Sequence, residues 1–219
     1  MSTTLVLVRH GESANQAQGF FGCHQHCGGL SERGRSQVTG LRDRLAATGE
    51  LRGATALYSS ILRRAVETAE ILAPAVGAGD LDVKQDCSFC EIHLGSADGL
   101  TVDEFERRYP APDPWTVDAR PVPDGETMRE MGERVAAGLD DLLARHEGET
   151  VVVACHGGVV IQSMWRWLAL DPAGGERAWF NPANASMTVW RTAPNPYAKD
   201  TLALELVTFS DHAHLASRR

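Results

Sequence analysis

Residues 5–13 read Leu-Val-Leu-Val-Arg-His-Gly-Glu-Ser, and the architecture expected for the chain follows from this stretch. Its apolar start with alternating valines is typical of a buried strand in a parallel sheet. The strand ends in Arg9 and His10, and open α/β sheets bind their ligands at the carboxyl ends of the strands. An arginine offers a planar fork that matches phosphate oxygens, and a neutral histidine offers a nucleophilic nitrogen. The pair predicts phosphate binding followed by attack on phosphorus.

A second segment repeats this layout. Residues 150–163 read Thr-Val-Val-Val-Ala-Cys-His-Gly-Gly-Val-Val-Ile-Gln-Ser, which predicts a second buried strand that ends in His156 and is followed by an apolar helix. The free backbone N–H groups at the start of such a helix favour a bound anion. His156 is therefore also expected beside an anion.

Strand and helix signals alternate along the rest of the chain, as in a layered α/β fold. Between the two histidine segments, Tyr58 ends a predicted strand, Ser59 or Ser60 caps a helix, and Arg63 and Arg64 lie in its first turn. Strands are expected at 54–58, 81–83, 188–191 and 201–208, and helices at 31–48, 62–74, 101–109 and 127–146, with a polar loop at 12–29. A capping box of Thr127 and Glu130 opens the last of these helices.

The ordered set of motifs resembles the histidine phosphatase superfamily, also called the phosphoglycerate mutase-like family. Four segments carry the resemblance: Arg9-His10-Gly11-Glu12, residues 59–65 with Glu67-Thr68-Ala69, Glu91 in Glu-Ile-His-Leu-Gly, and His156-Gly157-Gly158. Weaker matches lie at 30–37, 123–127 and 184–188. The resemblance implies an α/β fold of three layers, in which a mostly parallel central sheet is flanked by helices.

The same resemblance implies roles for five residues. His10 would be the nucleophile and would form a phosphohistidine, which divides the reaction into two easier displacements. Arg9, Arg64 and His156 would surround the phosphoryl oxygens and stabilise the charge in transfer. Glu91 would protonate the leaving group and, once ionised, would take a proton from the attacking water.

A further set is expected to contact the substrate: Asn15, Gly22, Cys23, His93 and Gly157. Asn15 resembles the loop asparagine that touches phosphate in relatives, although it lies one residue closer to the histidine than in the commonest form of the motif. His93 either touches the substrate or has a structural role. Alignment with the family selects Arg64 as the phosphate ligand and leaves Arg63 on a solvated helix face.

The resemblance favours the phosphatase branch and a small phosphorylated metabolite as substrate. Phosphoglycerate mutases of the family resemble Glu-Arg-His-Tyr-Gly, whereas this chain has Ile92 and Leu94, which supply no hydrogen bonds. The continuation at 95–101 resembles the phosphatases, except that they usually carry a tryptophan where Ala97 lies. Mutase-type phosphoryl transfer is the alternative, and a phosphate-binding protein without catalysis is the third. No catalytic metal or organic cofactor is expected, because the arginines and histidines supply the charge.

Composition limits the classes of partner. The 219 residues are 43% hydrophobic, which is typical of a globular protein. Their net charge of −8 gives no support to nucleic-acid binding, because proteins that bind the phosphate backbone usually carry a basic face. No stretch approaches the ~20 apolar residues of a membrane span, and the first strand begins within a few residues of Met1. A cytoplasmic location is therefore expected. The predicted partner is the small phosphorylated substrate, without nucleic acid or membrane, and a homodimer is left open.

The predicted organisation is one domain over 1–209. An irregular, proline-rich insertion at about 92–124 is expected to lie over the active site, and 210–219 is expected to be a disordered tail. Five aromatic residues either line an apolar wall of the substrate site or belong to the core: Phe20, Phe21, Phe89, Trp115 and Trp179.

The cysteines support a hypothesis of another class. Residues 23–27 read Cys-His-Gln-His-Cys and residues 87–90 read Cys-Ser-Phe-Cys, so the two segments hold four thiols and two imidazoles at zinc-like spacing. One segment follows His10 and the other leads into Glu91, which places both near the expected site. A structural zinc, a redox-sensitive disulfide and separate reduced thiols are the three interpretations. Cys155 is expected to be a buried filler.

Overall fold

The stretch that opens the sequence forms the central part of a six-stranded sheet. The computed structural model describes residues 2–111, 116–171 and 178–218. The strands are β1 (Thr4–Arg9), β2 (Ala54–Ser59), β3 (Val83–Gln85), β4 (Thr150–Cys155), β5 (Met187–Pro194) and β6 (Leu202–Asp211). The α-helices are α1 (Ala14–Gln18), α2 (Glu32–Thr48), α3 (Arg63–Leu72), α4 (Val102–Arg108), α5 (Met128–Arg145) and α6 (Gly157–Trp167).

The order of the strands is β3-β2-β4-β1-β5-β6. The first four strands in this order are parallel to one another, whereas β5 is antiparallel to β1 and β6 is antiparallel to β5. β1 and β4 are neighbours, and their register places Arg9 beside Cys155. The residue that follows each strand is a histidine, so this pairing brings His10 and His156 to the same edge of the sheet.

Side chains alternate across the sheet and build one hydrophobic core on each face. Val6 and Val8 point to a core formed with α2 and α3, which contribute residues such as Leu41 and Leu72. Leu5 and Leu7, together with Val151, Val153 and Trp190, pack on the opposite face against α5 and α6, represented by Met131, Leu139 and Val160. The predicted three-layer α/β architecture is confirmed.

The end of the chain differs from the disordered tail predicted from residue 210. β6 continues to Asp211, which pairs with Met187 of β5, and a short 3-10 helix follows at Ala213–Arg218. Arg44 of α2 lies 2.7 Å from the Asp211 carboxylate, and the side chain of His214 is buried. Sheet pairing and this ion pair hold the described residues of the segment against the domain, whereas the sequence predicted disorder there.

The segment at 92–124 is only partly irregular. It contains α4, which begins at a capping box of Thr101 and Glu104, and one 3-10 turn at Gly95–Ala97. Residues 112–115 of this segment lie outside the described part of the chain. The predicted capping box of Thr127 and Glu130 is present at the start of α5.

Candidate active site

The two histidines predicted from the strand ends face each other. The ring centroids of His10 and His156 lie 5.0 Å apart at an interplanar angle of 63°, and both side chains are buried. The backbone N–H of His10 donates to the carbonyl of Cys155 at 2.9 Å, which continues the pairing of β1 with β4 by one residue. The sheet itself therefore fixes the distance between the two rings.

The hydrogen bonds of His10 leave Nε2 as its nucleophilic atom. Nδ1 lies 2.6 Å from the carbonyl oxygen of Gly11, and because a carbonyl can only accept, Nδ1 carries the proton. Nε2 then holds the lone pair and accepts from Nε of Arg64 at 3.1 Å. Burial lowers the pKa of His10 well below its usual value, and the adjacent Arg64 and Arg9 charges lower it further. His10 is therefore neutral at pH 7.

Arg64 connects both histidines to the loop that follows β1. Its Nε also donates to Nδ1 of His156 at 3.3 Å, and its Nη1 donates to the carbonyl of Gly22 at 2.7 Å. The other ring nitrogen of His156 lies 2.7 Å from Oγ of Ser60. Burial, followed by the charge of Arg64, lowers the pKa of His156 well below its usual value. Because Nδ1 accepts from Arg64, the proton of the neutral His156 ring lies on Nε2, which donates to Oγ of Ser60.

One N–H group of Arg9 lacks an acceptor among the described residues. Its Nη1 donates to the carbonyl of Pro182, whereas its buried Nε has no hydrogen-bond partner among the described residues. Burial lowers the pKa of Arg9, and the carboxylate of Glu91 partly offsets that effect. A buried N–H without a partner is costly, and an anion in the pocket would satisfy it.

Glu91 lies against the start of α6. One carboxylate oxygen accepts from the backbone N–H of Gly158 at 3.1 Å, and the other accepts from the N–H of Ile92 at 3.2 Å. A Cβ at position 158 would lie 2.1 Å from Oε1 of Glu91, so only a glycine leaves room for the carboxylate. The glycine of the His-Gly-Gly motif thus positions the predicted acid.

These groups open into a cavity of about 520 Å³. Its polar side is formed by Arg9, His10, Ser13, Asn15, Gln16, Arg64 and Glu91, and its apolar side by Phe20, Phe21, Ile92, Leu94 and Val102, with Gly19 and Gly22 completing the lining. All the predicted catalytic residues except the fully buried His156 line it directly, and His156 reaches it through Arg64. The cavity combines an anion-binding end with an apolar wall.

The predicted substrate contacts divide into two groups. Gly22 and Asn15 line the cavity, and a Cβ at Gly157 would lie 3.4 Å from the guanidinium of Arg9. The Asn15 amide also holds its own loop together, because Oδ1 accepts from the N–H of Gly28 at 2.7 Å and Nδ2 donates to the carbonyl of His26 at 2.9 Å.

Cys23 and His93 belong to a different part of the surface. The thiol of Cys23 lies 3.1 Å from Nδ1 of His24, and the ring of His93 lies 3.3 Å from the carboxylate of Glu126. Both residues line a separate cavity beside Asp98, not the cavity that contains His10. The structure therefore does not bring these two residues to the cavity that holds the other predicted substrate contacts.

Two residues of the site were not assigned to it from the sequence. The prediction that Ser59 or Ser60 caps α3 was wrong, because the N-cap is Leu62 and it has no side-chain cap. Oγ of Ser60 instead accepts from the N–H of Leu62 at 3.1 Å and contacts His156. Nδ2 of Asn184 donates to the carbonyl of His10 at 3.1 Å. The weaker motif at 184–188 was the available signal for Asn184.

The neighbouring Arg63 lies outside the site, as expected. Its side chain is 67% exposed and pairs with Glu67 one helical turn away at 2.8 Å. Of the five aromatic residues, Phe20 and Phe21 line the cavity, Phe89 is fully buried in the core and Trp179 is exposed. Trp115 lies outside the described residues.

None of the helices in the described parts of the chain has the length and apolar character needed to cross a membrane. This observation agrees with the hydropathy of the sequence.

Comparisons with known proteins show which family the chain resembles. The sequence profile of the histidine phosphatase superfamily (branch 1) matches residues 5–203. A phosphoglycerate mutase-like protein 4 of Arabidopsis thaliana is 32% identical over 160 residues, which cover 71% of this chain and 67% of that protein. A metal-independent phosphoserine phosphatase of Arabidopsis thaliana is 29% identical over 219 residues, which cover 98% of this chain and 84% of that protein. Other curated relatives are longer, and the chain spans about half (46%) of their length.

The fold agrees with a solved structure, YhfR of Bacillus stearothermophilus. The TM-score is 0.78 at 28% sequence identity, and the superposition covers 97% of this chain and 99% of that one. Sequence and fold comparisons thus point to the same group of proteins.

Proposed function

The chain belongs to the histidine phosphatase superfamily, branch 1, and we propose that it hydrolyses small phosphomonoesters through a phosphohistidine on His10. The observation that carries the proposal is the 2.6 Å contact between Nδ1 of His10 and the Gly11 carbonyl, which assigns the single proton of the neutral ring to Nδ1. Its Nδ1–H is bound to the Gly11 carbonyl, so the lone pair of Nε2 lies beside Arg64 in the open cavity. A neutral nucleophile next to a phosphate-binding cation is what attack on phosphorus requires.

In the first step, Nε2 of His10 attacks phosphorus and the bond from phosphorus to the ester oxygen breaks. Arg9 and Arg64 donate to the phosphoryl oxygens, and their charges act in a buried site where they are most effective. His156 accepts from Nε of Arg64 and so holds this arginine in position. Protonated Glu91 gives its proton to the departing oxygen, because an alkoxide is a poor leaving group. The products are the free alcohol and phosphohistidine.

In the second step, water attacks the phosphorus of phosphohistidine. The Glu91 carboxylate takes the proton from that water, the bond from phosphorus to Nε2 breaks, and inorganic phosphate leaves. His10 returns to its neutral form with Nδ1 still bound to Gly11, and Glu91 returns to its protonated form. No metal ion takes part in either displacement.

The apolar wall favours hydrolysis over the mutase alternative. A mutase has to hold a phosphorylated acid by its carboxylate and its second phosphate, which requires additional cations. Among the described residues that line the cavity, Arg9 and Arg64 are the arginines, and both belong to the phosphate-binding end. Ile92 and Leu94 line the region beyond that end. A leaving group with an uncharged, partly apolar surface fits this arrangement. Hydrolysis as the reaction is supported by the similarity to a metal-independent phosphoserine phosphatase.

The experiment is phosphate release from p-nitrophenyl phosphate without added divalent metal, followed by a panel of phosphorylated metabolites. Wild-type protein is expected to turn over, and His10→Ala is expected to lose at least about 10³-fold in kcat, because the nucleophile is gone. Protein quenched in alkaline denaturant should carry one phosphate on His10 by mass spectrometry, because the phosphorus–nitrogen bond of phosphohistidine is hydrolysed in acid but survives in base. Transfer of that phosphate to a phosphoglycerate in preference to water would make the chain a mutase, and phosphate binding without phosphohistidine would make it a silent binder.

A further inference from the structure

Four potential metal ligands converge outside the catalytic cavity. His24, Cys87, Cys90 and His93 each direct one nitrogen or sulfur atom to a common point, and these four atoms all lie within 4.8 Å of one another. His24 belongs to the loop that follows β1, whereas the other three belong to the segment between β3 and α4. Residues from two distant parts of the sequence therefore meet in one cluster.

The distances match a tetrahedral ion. A zinc ion with bonds of about 2.3 Å to sulfur and 2.0–2.1 Å to nitrogen separates a sulfur ligand from a nitrogen ligand by about 3.6 Å. Sγ of Cys87 lies 3.5 Å from Nε2 of His24 and 3.6 Å from Nε2 of His93. The two sulfurs of Cys87 and Cys90 lie 2.6 Å apart, and a side-chain rotation would open this edge to the ~3.8 Å of a tetrahedron.

The outer nitrogens of both imidazoles are already held. Nδ1 of His93 lies 3.3 Å from the Glu126 carboxylate, and because a carboxylate accepts, Nδ1 carries the proton and Nε2 keeps the lone pair. Nδ1 of His24 lies 3.1 Å from the thiol of Cys23. A carboxylate that orients the outer nitrogen of a histidine is the usual support of a metal ligand.

Arg134 completes the support from α5. Its guanidinium binds Glu126 at 2.7 Å, and Nη1 donates to the carbonyl oxygens of Cys87 at 2.9 Å and of Cys90 at 3.1 Å. The arginine thus fixes the backbone of the Cys-x-x-Cys segment and sets a positive charge beside two groups that become thiolates on binding a metal.

We propose that His24, Cys87, Cys90 and His93 form a structural zinc site. Two sulfurs and two nitrogens in a tetrahedral arrangement select zinc, and four protein ligands leave no open position for catalysis. Of the four thiols and two imidazoles that sequence spacing suggested, the set keeps His24, Cys87 and Cys90, and it adds His93. Cys27 lies elsewhere, with its sulfur 3.4 Å from Nη1 of Arg64.

The zinc would brace the catalytic cavity from outside. It joins the loop at 22–27, whose Gly22 carbonyl binds Arg64, to the segment that carries Glu91 between Cys90 and His93. The reaction itself remains independent of metal, and the proposal does not depend on the phosphatase activity.

The test is the zinc content of full-length protein, expressed with zinc and purified under reducing conditions. We expect about one zinc per chain in the wild type and less than about a tenth in His24→Gln and Cys87→Ser. The matched controls are His26→Gln and Cys27→Ser, which should keep about one zinc. His24 and His26 are both exposed and two positions apart, so their comparison does not depend on folding of the cysteine variants. Cobalt in place of zinc should show the thiolate charge-transfer and tetrahedral ligand-field absorption.

Three results would overturn the proposal. The first is reduced wild-type protein that neither contains zinc nor binds added zinc chloride. The second is a Cys87–Cys90 disulfide that forms quantitatively without metal, seen as the loss of two thiols in a titration of the unfolded protein. The third is zinc that disappears equally from His24→Gln and His26→Gln, or from Cys27→Ser, because a different ligand set would then hold the ion.

Discussion

Arg63 and Arg64 are adjacent in sequence and opposite in surroundings. Arg64 is buried between His10, His156 and the Gly22 carbonyl, whereas Arg63 extends into solvent and pairs with Glu67. Arg64→Ala is expected to lower kcat/KM for a phosphomonoester by about 10²–10³-fold, because a preorganised donor to the transferring phosphoryl group is lost. Arg63→Ala should change kcat/KM less than about threefold. Steady-state kinetics of both variants is the measurement, and equal losses would remove Arg64 from the proposed role.

Gly158 tests the acid assigned to Glu91. In Gly158→Ala the new Cβ would lie 2.1 Å from Oε1 of Glu91, so the carboxylate has to move. We expect a loss of about 10²-fold or more on an alkyl phosphate and a smaller loss on p-nitrophenyl phosphate, whose leaving group needs less protonation. Gly157→Ala is the control, since its Cβ would lie 3.4 Å from the Arg9 guanidinium. Identical losses on both substrates would count against Glu91 as the acid.

The lowered pKa values of His10 and His156 make stability dependent on pH. Below the ordinary histidine pKa of 6.5 the unfolded chain binds protons that the folded protein excludes, so the free energy of unfolding falls as the pH decreases. Each group contributes up to about 1.4 kcal/mol per pH unit in that window. Urea unfolding at pH 7.0 and 5.5 should show the fall, and His10→Asn should show a smaller one. A His10→Asn variant with the wild-type slope would contradict the assignment.

At the scale of elements, the sequence predicts strands and helices that have a periodic apolar pattern, and it misses elements that lack one. The strands β1 and β4 and the helices α2 and α5 carry long apolar patterns and capping residues, and all four were predicted. Helix α1 was missed because its five residues include no buried side chain. Its one local signal is the capping box of Ser13 and Gln16.

Residues of the site were likewise easier to predict when they follow a regular strand than when they lie in an irregular segment. His10, Arg9 and His156 were predictable because each lies at the end of a regular strand, where side chains point to the ligand edge. Cys23 and His93 lie in irregular segments, in which the direction of a side chain depends on distant contacts with Asp98 and Glu126. The choice of His24 over Cys27 in the candidate zinc cluster is likewise set by ring orientation, which spacing does not encode.

The terminal strand gives a prediction at this scale. Asp211 of β6 pairs with Arg44 of α2 at 2.7 Å. The same arginine also pairs with Glu50, which lies just after the helix. Asp211→Asn should lower the free energy of unfolding by about 1 kcal/mol, because a partly buried network loses one charge. Denaturant unfolding at neutral pH is the measurement. An unchanged free energy of unfolding would mean that this ion pair does not hold the terminal segment to the domain.

For the whole molecule, the two cores and the parallel strands form a rigid frame, and the phosphate-binding end is preorganised on it. Orthovanadate resembles the phosphoryl group in the transition state of its transfer. It should bind the folded protein and not the unfolded chain. At a hundredfold excess over its Kd it should add ~2.7 kcal/mol to the free energy of unfolding. Thermal unfolding should show a clear rise in Tm for the wild type and little rise for Arg64→Ala. A rise of equal size in both would place the anion elsewhere.

The sheet order also has a consequence for synthesis on the ribosome. β1 is made before its partners β4 and β5, which begin only at Thr150 and Met187. The apolar strand that leads to His10 therefore stays unpaired until those strands have been made, and nascent chains of this kind need protection from aggregation. A truncated product that stops before residue 150 has His10 but no neighbouring strand on either side. The activity proposed for His10 thus requires that translation has passed both neighbouring strands.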